Sequence, residues 1–270
     1  GKKELMGIAR DLTQRREAER ILKNQYEKLK EINKLRKNFV TTTTHELKTP
    51  LATVCGASEF LLSMFDKLSR DEILNFAKMI DRGASRLKNL ILDYVDFSKI
   101  EAEKLAISKK SVDLVEIIQD AVNNITFYLE EHNHHLELKI PEKLVVLGDK
   151  GRLEQVIINL ITNAIKNSED SSTTSIFLKK QGNNALFVIK DQGVGLTREE
   201  MDKLFKKFSR IDRKDITSNV NIQGSGLGLY ISKEIIKNHG GKIWAESDGR
   251  NKGSKFKFTI PLINKEKDGR

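Results

Sequence analysis

Apolar residues recur every three or four positions through the N-terminal part of the chain, which is the spacing of a helix with one buried face. Residues 14–40 contain no glycine or proline, and their apolar seam is narrow, with polar interruptions at Gln25 and Arg36. So narrow a seam predicts a two-stranded coiled coil, because a lone helix this polar needs a partner to be stable. The seam is formed by Leu22, Leu29, Ile32 and Phe39.

The helical pattern continues through His45, and a second helix follows it. Pro50 has no N–H to donate to the carbonyl of Glu46, so we expect the first helix to bend there. Ser69 and Glu72 have the spacing of a capping box at the start of the second helix. Its stripe is too wide for a two-helix pair to bury, which predicts a dimer that closes a four-helix bundle. The stripe consists of Ile73, Ala77, Ile80, Ala84, Leu87, Ile91 and Tyr94.

After residue 104 the pattern changes to short helices mixed with strands of period two, which favours an α+β sandwich with one layer of each. Strands are predicted at 136–140, 144–147, 175–180, 185–190, 242–246 and 255–260. Helices are predicted at 112–132, from Asp149 to about 167, at 197–206 and at 226–238. Before all of these, residues 1–12 predict a short strand that ends at a turn.

Length and composition indicate a globular protein of about two domains. The chain has 270 residues, 38% of them hydrophobic and 32% charged, as in proteins with long exposed helices. No apolar run approaches the roughly 18–20 residues of a membrane span, so we expect a cytoplasmic fragment without membrane contact; an anchor before residue 1 stays open. Cys55 is the single cysteine, which excludes an internal disulfide and fits a reducing compartment.

The net charge of +10 leaves two interpretations open. A basic surface can bind nucleic acid, or the basic residues can lie on solvated helix faces and attract ATP and an acidic partner. Lysines and glutamates are interleaved along the chain, without an aromatic-basic stripe. We therefore favour the second interpretation and predict no nucleic-acid partner.

His45 is the first candidate for chemistry. It lies about 200° around the helix from Leu47 and so faces away from the apolar seam, where a histidine is most often an ordinary surface residue. Glu46 can accept a hydrogen bond from one ring nitrogen, which would fix the tautomer and make the other nitrogen a better nucleophile. Thr49 lies one turn further on the same face, where its hydroxyl could position a water for hydrolysis of a phosphorylated partner.

Asn159, Asn163 and Lys166 fall on one face of a predicted helix, at spacings of four and three. Asparagine is a poor helix former, so two on one face need a reason, and simple solvent exposure is one. The functional alternative gives an asparagine carbonyl oxygen to a hard Mg²⁺ ion and the lysine ammonium to phosphate.

Two glycine loops complete the candidate chemistry. Asp191, Gly193 and Gly195 follow a strand, where the carboxylate can accept the adenine amino proton and the glycines let the backbone approach the ring. Residues 224–228 open directly into a helix, whose free N–H groups form an anion site. A dinucleotide-binding fingerprint is not favoured, because a long polar loop and not a strand precedes this motif. The second loop reads Gly224, Ser225, Gly226, Leu227 and Gly228.

The segment before the second glycine loop has two interpretations. Phe205 and Phe208 could be plain core, or they could anchor a mobile lid over 209–224 from which Arg210 approaches the phosphates. A nearby histidine cluster has no cysteine or carboxylate set at zinc spacing, so we favour a loop cluster over a metal site. The cluster consists of His132, His134 and His135.

In this order, these residues resemble the motifs of a sensor histidine kinase of a two-component system, over about residues 13–262. Residues 45–50 match the phosphoacceptor box of that family, and residues 159–166 match its asparagine box, with Asn163 in the magnesium-binding place. The adenine-contacting, aromatic and second glycine boxes also match. They comprise Asp191, Gly193 and Gly195, then Phe205 and Phe208, then Gly224, Gly226 and Gly228.

The resemblance implies a multidomain architecture. A helical hairpin at 41–104 would form the dimeric four-helix bundle, and an α/β-sandwich domain of the Bergerat type at 108–264 would bind ATP, with a tail at 265–270. Residues 1–13 look like the closing strand of a PAS sensor domain, and 14–40 would be a coiled-coil signalling linker.

The resemblance also implies the activity. ATP and Mg²⁺ would bind the second domain, with Asn163 at the metal, and His45 would be autophosphorylated with Glu46 as orienting base. The homodimer would pass the phosphoryl group to an aspartate in the receiver domain of a response regulator, and Thr49 would serve in dephosphorylating that regulator. Asn167 departs from the family, because many relatives carry an aromatic residue there. The implied ATP contacts are Asn159, Asn163, Lys166, Asn167, Asp191, Gly193, Gly195, Phe208, Arg210, Gly224, Ser225, Gly226, Leu227 and Gly228.

Two alternatives remain at this point. An ATP-driven conformational clamp of the mismatch-repair type would turn over ATP without a phosphoprotein intermediate, and the box around His45 argues against it. A non-catalytic scaffold would only dimerise and bind partners, and the complete nucleotide motifs argue against that.

Overall fold

The computed structural model describes residues 2–209 and 225–263, with side chains for all of these except 2–16, 18, 28 and 31–39. Arg210, Gly224 and the predicted tail at 265–270 lie outside the described residues. The chain divides into two compact units, Gly1–Lys88 and Asn89–Arg270.

The first unit is a helical hairpin, as predicted. Helix α1 spans Lys2–Met64 and continues on both sides of Pro50; a 3-10 turn follows at Phe65–Lys67, and α2 spans Arg70–Glu101. The strand predicted at 1–12 is wrong, because α1 already begins at Lys2. That segment is rich in Lys, Glu, Leu, Ala and Arg, which favour helix, and a strand also needs a neighbour to accept its hydrogen bonds.

The two helices pack closely within the first unit. A Cβ added to Gly83 would lie 2.6 Å from Cγ2 of Val54, so the missing side chain lets α2 approach α1. The rings of Phe60 and Phe76 lie 4.9 Å apart between their centroids. Other large apolar side chains of the hairpin remain exposed. They include Leu51, Leu62, Leu74 and Met79. None of the described helices is long and apolar enough to cross a membrane.

Both predicted helix caps are present. The Glu72 carboxylate accepts a hydrogen bond from the backbone N–H of Ser69 at 2.8 Å, and the Ser69 hydroxyl accepts one from the N–H of Glu72 at 3.3 Å. At the start of the helix Lys150–Lys166, Asp149 accepts a hydrogen bond from the backbone N–H of Arg152 at 3.2 Å. Each cap satisfies N–H groups that the first turn of a helix leaves without a partner.

The second unit is the predicted α/β sandwich. Its strands are β1 Lys110–Asp113, β2 His135–Lys139, β3 Val145–Gly148, β4 Thr173–Gln181, β5 Asn184–Lys190, β6 Lys242–Glu246 and β7 Lys255–Pro261. The six strands predicted after residue 104 are confirmed to within two residues. The five-stranded sheet has the order β2-β4-β5-β7-β6, with β2 parallel to β4 and the other pairs antiparallel, and β1 pairs with β3 in a separate antiparallel sheet. The helices are α3 Leu114–Asn124, α4 Thr126–Glu131, α5 Lys150–Lys166, α6 Arg198–Met201 and α7 Gly228–Asn238.

Two helix predictions in this unit need correction. The helix predicted at 112–132 is β1 followed by α3 and α4, because Asp113 accepts hydrogen bonds from the N–H groups of both Val115 and Leu144 at 3.0 Å. This residue therefore starts α3 while the chain before it pairs with β3. The helix predicted at 197–206 ends at Met201 and continues as turns.

Helices α3, α5 and α7 lie side by side, and α5 and α7 pack against the five-stranded sheet. α5 contributes Leu153, Ile157 and Leu160 to the core, and none of these side chains is exposed. On the sheet, the fully buried rings of Phe187 and Phe258 stack with centroids 4.7 Å apart. This burial of apolar area holds α5 and α7 in place, and both carry residues of the candidate site.

Candidate functional sites

His45 is exposed on α1, as predicted. The neighbouring side chain of Glu46 is 6% exposed, and successive residues on a helix point about 100° apart. The hydroxyl of Thr49 donates a hydrogen bond to the carbonyl oxygen of His45 at 3.2 Å. The imidazole is therefore open to a reactant, while Thr49 is one helical turn away on the same face.

In the second unit, the amide side chains along α5 form a chain of hydrogen bonds. Asn159 donates to the hydroxyl of Ser232 on α7 at 2.9 Å, and Asn163 donates to Oδ1 of Asn159 at 3.5 Å. Asn167 donates to the backbone carbonyl of Asn163 at 2.6 Å. Because the amide nitrogen of Asn163 is the donor, its carbonyl oxygen is the atom that can coordinate a hard cation. The three asparagine side chains are half-buried, and so is Lys166.

Asp191 ends up buried directly after β5, with 2% of its surface exposed. One carboxylate oxygen, Oδ1, accepts hydrogen bonds from the backbone N–H groups of Gly193 at 2.9 Å and Ser254 at 3.0 Å. The two bonds fix the direction of the carboxylate.

The first glycine loop needs its glycines because it passes close to other backbone. A Cβ on Gly193 would lie 2.1 Å from the carbonyl oxygen of Asn167, and the N–H of Val194 donates to that same oxygen at 3.0 Å. Gly195 has φ +66°, and a Cβ there would lie 2.0 Å from the carbonyl oxygen of Gly249. The loop therefore joins Asp191 to the end of the asparagine-bearing helix.

The second glycine loop packs against the same helix. A Cβ on Gly228, the first residue of α7, would lie 2.5 Å from Oδ1 of Asn159. The buried hydroxyl of Ser225 accepts a hydrogen bond from the N–H of Leu227 at 3.3 Å. Gly226 has φ +64° and lies close to Ser209. These contacts show that Asn159 supports the start of α7.

Of the lid predicted over 209–224, only Ser209 belongs to the described residues. The ring of Phe208, whose φ is +56°, packs edge-on against Phe97 of α2, with centroids 5.1 Å apart. Phe208 therefore contacts the end of α2.

The histidine cluster is not part of any group of side chains that could hold a metal ion among the described residues. His134 is buried, and its Nε2 lies 2.8 Å from the hydroxyl of Thr174.

A row of side chains at the end of α2 is not among the site residues that the sequence predicts. Asp96, Phe97 and Glu101 follow Asp93 by three, four and eight residues, on one face of the helix, and all four belong to the second unit. The buried carboxylate of Asp96 accepts from Arg152 at 2.6 Å. These contacts join residues far apart in sequence, so no local pattern announces them.

Two family models match the chain in adjoining parts. Residues 35–103 match the His Kinase A (phospho-acceptor) domain, and residues 148–264 match the histidine kinase-, DNA gyrase B- and HSP90-like ATPase. The first match lies in the helical hairpin and the second in the α/β sandwich. The chain carries the two domains of a protein-histidine kinase. The ATPase match implies that residues 148–264 bind ATP.

Individual relatives agree with the family. The aerobic respiration control sensor protein ArcB of Escherichia coli K12 is 31% identical over 98% of this chain, which is 33% of its own length. The Acinetobacter baumannii histidine kinase AdeS has a TM-score of 0.60 at 25% identity, over 82% of this chain and 98% of that one. The histidine kinase ThkA in complex with the response regulator protein TrrA has the same fold, with a TM-score of 0.59 at 24% identity over 87% of this chain and 64% of that one. The chain thus spans about a third of ArcB's length.

Proposed function

We propose that this chain binds ATP with Mg²⁺, transfers the γ-phosphoryl group to His45, and passes it to an aspartate in the receiver domain of a response regulator. The observation that carries the proposal is that Asp191, the amide face of α5 and the glycine loop at the start of α7 meet in one place. An exposed histidine in a phosphoacceptor domain gives the phosphoryl group its acceptor.

The nucleotide would be held from both ends. Oδ1 of Asp191 accepts two backbone N–H groups, which fix the direction of the carboxylate, and Oδ2 would accept the adenine amino proton. Lys166 and the N–H groups of residues 225–228 would bind the phosphates, because the start of α7 attracts anions. The carbonyl oxygen of Asn163 would hold Mg²⁺, which neutralises phosphate charge when it is bound.

The transfer itself requires mainly positioning and charge neutralisation. The unprotonated ring nitrogen of His45 would form a bond to the γ-phosphorus while the bond from phosphorus to the β–γ bridging oxygen breaks, and ADP leaves. Glu46 would orient the ring from its other side. In a second transfer, an aspartate oxygen of the regulator would replace the imidazole at phosphorus and restore His45.

We also propose that the hairpin dimerises through its exposed apolar residues, since Leu51, Leu62, Leu74 and Met79 are each more than 40% exposed in the single chain. The domain limits of 41–104 and 108–264, and the coiled coil at 14–40, belong to this proposal, as does a sensor segment connected to it. The complex of ThkA with TrrA supports a response regulator as the class of partner.

Incubation with Mg²⁺ and γ-labelled ATP tests the proposal, comparing the wild type with His45→Gln. We expect acid-labile, base-stable label on the wild type and none on the variant, while both bind ATP equally. ATP turnover at the same rate in both proteins, without label on either, would instead support the clamp alternative.

A Thr49→Ala variant tests the proposed role of Thr49 in dephosphorylating the response regulator. We expect this variant to keep the label on His45 and to lose activity against the phosphorylated regulator.

A further inference from the structure

The end of α2 contacts the ATPase domain through three carboxylates, and two of them pair with cations. Asp96 accepts from the guanidinium of Arg152 at 2.6 Å and from the side-chain amide of Gln155 at 3.0 Å. Glu101 accepts from the ammonium of Lys207 at 2.7 Å, and the hydroxyl of Tyr230 donates to it at 3.2 Å. These pairs hold α2 against the domain.

The third carboxylate, Asp93, meets a neutral partner. Its Oδ2 accepts a hydrogen bond from the hydroxyl of Ser225 at 3.0 Å, and the same hydroxyl accepts from the N–H of Leu227 at 3.3 Å. Asp93 is thus one hydrogen-bonded link away from an amide of the second glycine loop. A carboxylate there has the charge sign of a phosphate.

Asp93 interacts with Lys166, the cation that the proposed function assigns to the phosphates. Burial is the main cause that raises the pKa of Asp93, and the nearby charge of Asp96 raises it further. The hydrogen bond from Ser225 and the charge of Lys166 act in the opposite direction. An ATP phosphate and the carboxylate of Asp93 would therefore compete for the positive charge of Lys166.

We propose that Asp93 competes with the phosphates of the nucleotide for the second glycine loop and Lys166, and so couples nucleotide binding to the docking of α2. This rests on the proposed function, and it adds a regulatory residue to it. The bound phosphates repel Asp93, which weakens the hold of α2 on the ATPase domain. Because coupling is reciprocal, docked α2 weakens nucleotide binding by the same factor.

Equilibrium binding of MgADP and of adenosine to the full chain tests this proposal. Asp93→Asn removes the charge and keeps an oxygen that accepts from Ser225, and Asp93→Ser is a second charge-free variant. The matched control is Asp120→Asn, which removes a charge that pairs with Lys150 at 2.7 Å on the surface of α3. MgADP avoids turnover, and adenosine has the same base without phosphates.

We expect both Asp93 variants to bind MgADP at least about fivefold more tightly than the wild type, with adenosine affinity and the Asp120→Asn control unchanged. Unchanged or weaker MgADP binding in both Asp93 variants overturns the competition. An equal gain for adenosine overturns it too, because the site would then only have become more open. Failure of the wild type to bind MgADP at all refutes the proposed function, and this inference with it.

Discussion

Replacement of Asp191 by asparagine is predicted to change which base the nucleotide site prefers. Oδ1 of Asp191 accepts the N–H groups of Gly193 at 2.9 Å and Ser254 at 3.0 Å, so an asparagine would place its carbonyl oxygen there to keep both bonds. Its amide nitrogen then takes the place of Oδ2. A donor would face the donor on the adenine amino group.

The expected loss follows from the hydrogen bond that disappears. A hydrogen bond to a charged group contributes about 1.5–3 kcal/mol, so ATP binding should weaken by about 10- to 150-fold. Guanine presents a carbonyl oxygen where adenine has its amino group, and the new amide nitrogen can donate to it. The preference for ATP over GTP should therefore shrink more than the ATP affinity alone would require.

Binding of non-hydrolysable ATP and GTP analogues to Asp191→Asn measures both effects, with Asp248→Asn as a control. Asp248 is an exposed carboxylate in the same region of the domain, and its variant should bind like the wild type. A thermal melt checks the fold, which should lose little because both backbone bonds to residue 191 persist. If Asp191→Asn keeps a wild-type melt and the wild-type ratio of ATP to GTP affinity, Asp191 does not contact the base and the reasoning is refuted.

Two further predictions concern stability. Gly193→Ala should lower the free energy of unfolding in a denaturant titration by about 1–3 kcal/mol, because its Cβ would lie 2.1 Å from the carbonyl oxygen of Asn167. The control is Gly151→Ala, whose Cβ would have its nearest neighbour at 3.8 Å. This variant should leave the free energy of unfolding equal or raise it in the same titration. Burial lowers the pKa of His239, so between about pH 6.5 and that lower pKa the unfolded state binds more protons and stability should fall as pH drops. His239→Gln should flatten this fall in melts between about pH 7 and 5, and an unchanged slope would refute the assignment.

The sequence predicts those parts of the fold that depend on local periodicity. The hairpin, the six strands and helices α5 and α7 each have an apolar pattern of the right period, and Asp149 marks the start of α5. The sequence fails where pairing is non-local. β1 is four residues long and is a strand because it pairs with β3, more than thirty residues later, which no window around residues 110–113 records.

The same division explains the candidate site. The sequence indicates Asp191 and its glycines because a carboxylate, a strand end and two glycines occur within five residues. Spacing along α5 also predicts that Asn159 shares a face with Asn163 and Lys166, but it does not show what that face contacts, which is Gly228 and Ser232.

The carboxylates at the end of α2 also have partners that depend on packing between distant segments. The residues at 93, 96 and 101 are ordinary for the exposed face of an amphipathic helix, and their spacing alone indicates solvent contact. They gain other partners because residues 56–132 positions later fold back onto them, from Arg152 to Ser225. Motifs therefore locate the groups that we propose to bind the nucleotide, whereas the proposed regulatory contact of Asp93 depends on packing between distant segments. A search for regulation in such a chain should begin with charged residues on helices next to the motifs. Asp93 is the residue whose replacement should change access to the nucleotide site without removing a group that binds the nucleotide.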